Sequence, residues 1–145
     1  TLAQALSVKR EYARTTATRL WVVTQFTFDA EVVIDWLQGL GNILEEVPVY
    51  IGMAGPTRVK TLIAYAAMCG VGASARMLLR RPGSARMLGA WKPDDMVRAL
   101  VQYCLENPET LLRGIHLFPF GGLRQSAQWI RDHSGSCENN REAVP

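Results

Sequence analysis

The sequence has few cysteines, no long apolar run and no strong excess of either charge. Cys69, Cys104 and Cys137 are its three cysteines, and no two are spaced as a Cys-x-x-Cys pair. That excludes a zinc knuckle or ribbon, and an odd, scattered set makes no disulfide framework. The thiols read as reduced side chains of a cytoplasmic protein, two of them small apolar helix residues, and none is assigned chemistry. No stretch approaches the roughly 20 consecutive apolar residues of a membrane-spanning helix. The opening Thr1-Leu2-Ala3-Gln4-Ala5-Leu6 runs into Lys9, Arg10 and Glu11, which is not the pattern of a secretory signal. It also lacks an initiator Met, so the chain is expected to be trimmed or cut from something longer.

Sixteen Lys and Arg against thirteen Asp and Glu leave a net charge of +3 in 145 residues, with a pI near 9.0. A mild basic balance alone does not imply nucleic acid as a partner. Arg76, Arg80, Arg81 and Arg86 do cluster, but no aromatic residues alternate with them as a single-strand stacking platform requires. They read as a solvated helix face. The pentamer Ser-Ala-Arg-Met-Leu occurs at 74 and again at 84, too short and too close to be a structural repeat.

What is present is an alternation of two periodicities. Residues 2–14 carry helix formers. Leu20-Trp21-Val22-Val23-Thr24-Gln25-Phe26 is then a nearly continuous run of β-formers, as expected of a strand buried on both faces of a parallel sheet. Asp29 is placed to cap a helix with Val32, Val33, Trp36, Leu37 and Leu40 at helical spacing, ending at Gly39 and Gly41. Val47–Ile51 is a second strand. Thr57 is placed to cap a helix whose inner face is Val59, Leu62, Ile63 and Ala66, stopping at Gly70. The excursion 71–107 is expected to hold two helices, broken at Arg81-Pro82-Gly83 and at Trp91-Lys92-Pro93, the second capped by Asp94. A third strand, Gly114–Phe118, ends at Pro119-Phe120-Gly121-Gly122, and a last helix carries Leu123, Ala127, Trp129 and Ile130. From Ser134 onward the sequence is polar and reads as a loose tail.

Strand–helix alternation implies parallel strands joined by right-handed crossovers. Three strands leave two bare edges, and a closed eight-stranded barrel needs about 250 residues. The expected fold is therefore α/β, part of a parallel (βα)8 TIM barrel: three βα units plus a leading helix over 1–133, with a flexible tail over 134–145. A small three-stranded sandwich completed by dimerisation is the competing architecture.

Barrels place their chemistry in the loops after the strands, here 24–29, 52–57 and 116–124. Gln25 at a strand end offers a donor and an acceptor from one rigid base. That suits the amide edge of a flat heterocycle such as a pterin, and suits equally a bond to neighbouring backbone. His116 reads as a bonded interior residue and Asp29 as a helix cap; no residue is assigned as catalytic.

Thr24-Gln25-Phe26-Thr27-Phe28-Asp29 resembles the strand-six motif of methylenetetrahydrofolate reductases, with Thr27 where many members carry Phe. Pro48-Val49-Tyr50-Ile51-Gly52-Met53-Ala54-Gly55-Pro56 is similar to that family's strand seven. Cys69-Gly70-Val71-Gly72-Ala73-Ser74 and His116-Leu117-Phe118-Pro119-Phe120-Gly121-Gly122 are similar to the segments that follow in one bacterial branch. The likeness runs from about Lys9 to about Asp132, and it implies that the fragment is the C-terminal part of the TIM barrel, strands six to eight.

The resemblance implies FAD-mediated hydride transfer from NAD(P)H to 5,10-methylenetetrahydrofolate. It makes Gln25 a contact of the folate pterin and Tyr65, off the apolar stripe of its helix, an aromatic support for the folate. Thr61 stands where some relatives carry a folate-binding glutamine. Arg124 is the nearest substitute for an arginine that Gly121-Gly122 displaces. Lys9 matches a basic residue that reaches the flavin phosphates, at a longer spacing from Gln25 than in the family. The family's glutamate acid, its flavin-side aspartate and most of its flavin wall belong to earlier strands. The chain alone is thus expected to hold mainly the folate side and to be inactive, completed by a missing N-terminal half or by a homo-oligomer, with no nucleic-acid or membrane partner. Two further readings are a barrel enzyme gripping a phosphate at the turns 52–55 and 121–122, and a non-catalytic dimerising module.

Overall fold

The computed structural model describes residues 2–40, 44, 46–70 and 90–134. The arginine run 76–86, the repeated pentamer, the first helix expected in the 71–107 excursion, Cys137 and the tail from 135 lie outside the described residues. The described chain is mixed α/β, with a three-stranded parallel sheet, a separate two-stranded pair and five helices.

In chain order the elements are α1 (Leu2–Thr16), β1 (Val22–Val23), α2 (Ala30–Gly39), β2 (Val49–Ala54), β3 (Thr57–Arg58), α3 (Val59–Met68), β4 (Ala90–Trp91), α4 (Asp94–Glu106), β5 (Leu112–Phe118) and α5 (Leu123–Ser134). The sheet order is β1-β2-β5, with Val22 opposite Val49 and Val23 opposite Tyr50. These strands form an open sheet and no closed barrel among the described residues. No described helix is long and apolar enough to cross a membrane.

The chain forms two compact units: Thr1–Met53 with Asp94–His116, and Ala54–Pro93 with Leu117–Pro145. In the first, the central strand is the core. Val49, Ile51 and Met53 are fully buried, so the continuous apolar run that signals burial on both faces is realised in β2. Helices α2 and α4 pack on each other, and the stripes Val33 and Leu37 on one and Met96, Leu100 and Tyr103 on the other are buried. Their 3.6-residue spacing turns one face of each helix inward. In the second unit Ala54, Thr57, Val59 and Leu62 are buried.

Several expectations need correction. The run 20–26 was expected to be a strand buried on both faces, but only Val22–Val23 is strand. Trp21 is 55% and Val23 42% exposed. The physical reason is position: β1 is an edge, with a neighbour on one side only among the described residues. Val32 and Val101, counted into apolar stripes, also face outward. Thr57 does not cap α3. It is buried in β3, paired antiparallel with Trp91, and the residue before the helix is Arg58, which gives no side-chain cap. His116 is exposed rather than interior, because β5 is the other edge strand among the described residues.

Other expectations hold. Asp29 caps α2, its Oδ1 accepting the N–H groups of Glu31 at 2.9 Å and Val32 at 3.4 Å. Helix α2 ends at Gly39, and Gly70, at φ +71°, follows the end of α3.

Candidate functional site

Gln25 stands just past the end of β1 on a segment fastened to β2. Thr24 N–H donates to Tyr50 O at 3.1 Å, and Thr27 N–H to Gly52 O at 3.2 Å. Thr24 Oγ1 accepts Gly52 N–H at 2.9 Å and donates to Gln25 O at 3.0 Å. Thr27 and Met53 add a parallel bridge. Below the segment Phe26 and Phe28 are buried in edge-to-face contact, centroids 5.6 Å apart. The alternation sends Phe26 and Phe28 inward and leaves the Gln25 side chain exposed.

The close approach of the two strands depends on Gly52. A Cβ there would overlap Thr24 O and sit 2.9 Å from the carbonyl carbon and oxygen of Gln25. The Gln25 Oε1 accepts the Phe26 N–H at 3.1 Å, so the neighbouring-backbone bond considered from the sequence is made. It uses one lone pair of the carbonyl, and the amide nitrogen has no partner among the described residues.

Lys9, in the same unit, is exposed on α1. One turn on, Arg14 donates to Glu11 at 2.7 Å, and that hydrogen bond holds the Glu11 carboxyl below its usual range. An open cleft of about 630 Å³ lies between α1 and the start of β2, lined by Arg10, Glu11, Arg14 and Glu46 among others. Neither Lys9 nor Gln25 lines it. Of the described cysteines, Cys69 is exposed after α3. Burial, partly offset by Arg113, pushes the Cys104 thiol up.

In the second unit Tyr65 is 39% exposed on the outer side of α3. Its ring stacks on Phe120, centroids 4.6 Å apart and planes at 27°. Phe120 stacks in turn on Phe118 at 5.8 Å. The three rings form an aromatic ladder at the turn after β5. That turn is held by Gly55 N–H to Phe118 O and Gly122 N–H to Pro119 O, both at 2.9 Å. Gly121 is required there: a Cβ would collide with Pro56 O. Thr61 is half-buried on α3. Arg124, in the first turn of α5, lines an open cleft of about 460 Å³ with Lys92, Trp129 and His133, and neither Tyr65 nor Thr61 lines it.

Thus Gln25 and Lys9 belong to one unit, and Tyr65, Thr61 and Arg124 to the other. Sequence reasoning missed Phe120 as the partner of Tyr65, and read Lys92 only as part of the break at Trp91-Lys92-Pro93. It also missed the β3–β4 pair, in which Trp91 Nε1 donates to Ala54 O at 3.0 Å. The aromatic at 120 was visible in the motif; the Thr57–Trp91 pairing had no local signal. Among the described residues no group of three or more His, Cys, Asp or Glu could hold a metal ion.

The class these features define is a mixed α/β protein whose polar and aromatic side chains follow the ends of parallel strands. No protein-family model matches the chain.

Proposed function

We propose that this chain is the folate-binding portion of a methylenetetrahydrofolate reductase-like oxidoreductase, built on the last three βα units of a parallel barrel. The observation that carries the reading is the Gln25 segment. An exposed amide follows a parallel strand on backbone tied to β2 through Thr24 and Thr27, and its nitrogen is available to a pterin edge. Such a group is oriented before the ligand arrives, which is what binding and near-attack geometry require.

In this reading Gln25 reads the pterin, and the family resemblance assigns Tyr65, Thr61 and Arg124 to the folate as well. FAD, when bound, supplies the hydride relay between NAD(P)H and the folate methylene carbon. The described residues fit that cofactor only at a phosphate, through the exposed Lys9; nothing described encloses its ring. This chain therefore binds and orients, and does not complete the reaction. Its exposed edge residues Trp21 and Val23 are where earlier strands of the barrel, or a second copy, would add. The setting is the cytoplasm, with reduced thiols.

The test is a fluorescence titration of the chain with 5-methyltetrahydrofolate, together with a visible spectrum alone and after mixing with the upstream segment. Saturable folate binding that Gln25→Ala and Tyr65→Ala each weaken by roughly tenfold or more, with flavin absorbance retained only in the mixture, is expected. A wild-type chain blind to folate in both preparations overturns the proposal.

A further inference from the structure

The cleft beside α5 has the makings of a binding site that owes nothing to the folate reading except Arg124. Its volume of about 460 Å³ falls within the size of small-molecule pockets. Two cations, Lys92 and Arg124, face it, and neither makes an ion pair among the described residues. The one carboxylate on its wall, Asp132, is engaged by Gln128 Nε2 at 2.7 Å. The remaining titratable side chain is His133, whose Nδ1 lies 2.8 Å from Trp129 O. Its ring stacks on Trp129, centroids 4.4 Å apart and planes at 26°. That stack lends the cleft a flat aromatic wall, with the two cations on the same lining and the N-terminal turn of α5, its positive end, carrying Arg124.

Unpaired cations want an oxyanion, and a guanidinium matches a phosphate with two parallel N–H groups. A flat wall wants a ring, whose face or edge packs on an indole. We propose that this cleft binds a small phosphate ester carrying a flat ring, the phosphate on Lys92 and Arg124 and the ring against Trp129. The bare phosphate and a ring carboxylate each satisfy one half of that description, so both serve as probes.

Isothermal titration of the full chain with phenyl phosphate, inorganic phosphate and benzoate separates the cases. Phenyl phosphate is expected to bind about tenfold more tightly than either other probe. Lys92→Glu is expected to weaken it by roughly tenfold or more, and Trp129→Leu to remove the advantage over inorganic phosphate. Lys60→Glu makes the same charge change on the exposed face of α3 and should alter affinity less than about twofold. If Lys92→Glu fails to fold by circular dichroism, Lys92→Gln takes its place, with loss again expected. No saturation below about 10 mM phenyl phosphate, or equal losses from Lys60→Glu and Lys92→Glu, overturns the proposal. Equal affinity for phenyl phosphate and inorganic phosphate overturns the ring. Folate bound normally by Lys92→Glu would leave the earlier reading standing whichever way this test falls.

Discussion

Replacing Gly52 by alanine should damage this protein out of proportion to the single methyl group added. The new Cβ would lie 2.9 Å from the Gln25 carbonyl and closer still to Thr24 O, while ordinary contact begins at 3.4 Å. Backbone on both sides is held by hydrogen bonds, so bringing the 2.4 Å approach to Thr24 O out to 3.4 Å requires the strands to part by 1.0 Å. Overpacking of this kind costs about 1–3 kcal/mol. Opening the gap also strains the Thr24 Oγ1 bond to Gly52 N–H, for about 1 kcal/mol more. A total near 2–4 kcal/mol is a large share of the roughly 5–15 kcal/mol that stabilises an ordinary domain.

Urea denaturation followed by far-UV circular dichroism reads this directly. With a slope of about 2 kcal/mol per molar, the midpoint should fall by roughly 1–2 M. Gly39→Ala is the control. Nothing lies within 4 Å of its Cβ and it closes α2, so alanine there should be neutral or stabilising by up to about 1 kcal/mol. Because the displaced backbone carries Gln25, Gly52→Ala should also weaken folate in the proposed site. A Gly52→Ala protein that loses less than about 0.5 kcal/mol, or no more than Gly39→Ala, would refute the reasoning.

Two further outcomes are expected. Asp29→Ala removes the only side-chain cap of α2 seen among the described residues and should cost about 1–2 kcal/mol in the same denaturation assay. Asp29→Ser should recover most of that, and an unchanged midpoint for the alanine variant would count against the cap. In a Cys137→Ser background the exposed Cys69 should be alkylated first, and Cys104 at least about tenfold more slowly, because burial raises its thiol pKa. A raised thiol favours the protonated fold. Its contribution is fully present below the thiol's ordinary value of about 8.5 and is lost as pH rises through the higher folded value. Cys104→Ala should flatten that alkaline decline, and equal alkylation rates at the two cysteines would refute the assignment.

The parts of the fold legible in the sequence are those whose signals are local. Asp29 announces a cap through its own side chain, Gly39 and Gly70 mark helix ends, and the run at 49–53 is apolar because β2 is covered on both faces. The run at 20–26 carries the same signal and yet lies at an edge, with Trp21 and Val23 exposed. An apolar run reports what a strand needs, and only the neighbours decide whether it is met. Thr57 misled for a related reason. Hydroxyl residues favour helix caps, but here the partner is Trp91, 34 positions on, and no window along the chain contains both.

The candidate site divides along the same line. Gln25 was legible only as a polar residue interrupting β-formers at a strand end, which must either leave the core or find a partner; the structure shows both, the side chain exposed and its Oε1 accepting the Phe26 N–H. Tyr65 was picked out by the family resemblance, and its place off the Val59/Leu62 stripe agreed with an exposed ring. What each side chain touches was not legible, since Oε1 of Gln25 turns back on Phe26 and the ring of Tyr65 leans on Phe120. Both contacts satisfy a group that would otherwise wait in water, and both are made by residues next to the motif. A ligand on either side chain must then compete with these internal partners. The ring stack is worth about 0.5–1.5 kcal/mol and the amide bond about as much, so Phe120→Ala should strengthen a ligand that displaces Phe120 and weaken one that packs over both rings. Measured folate affinity in that variant therefore separates a platform from a plug, which the position of Tyr65 alone does not.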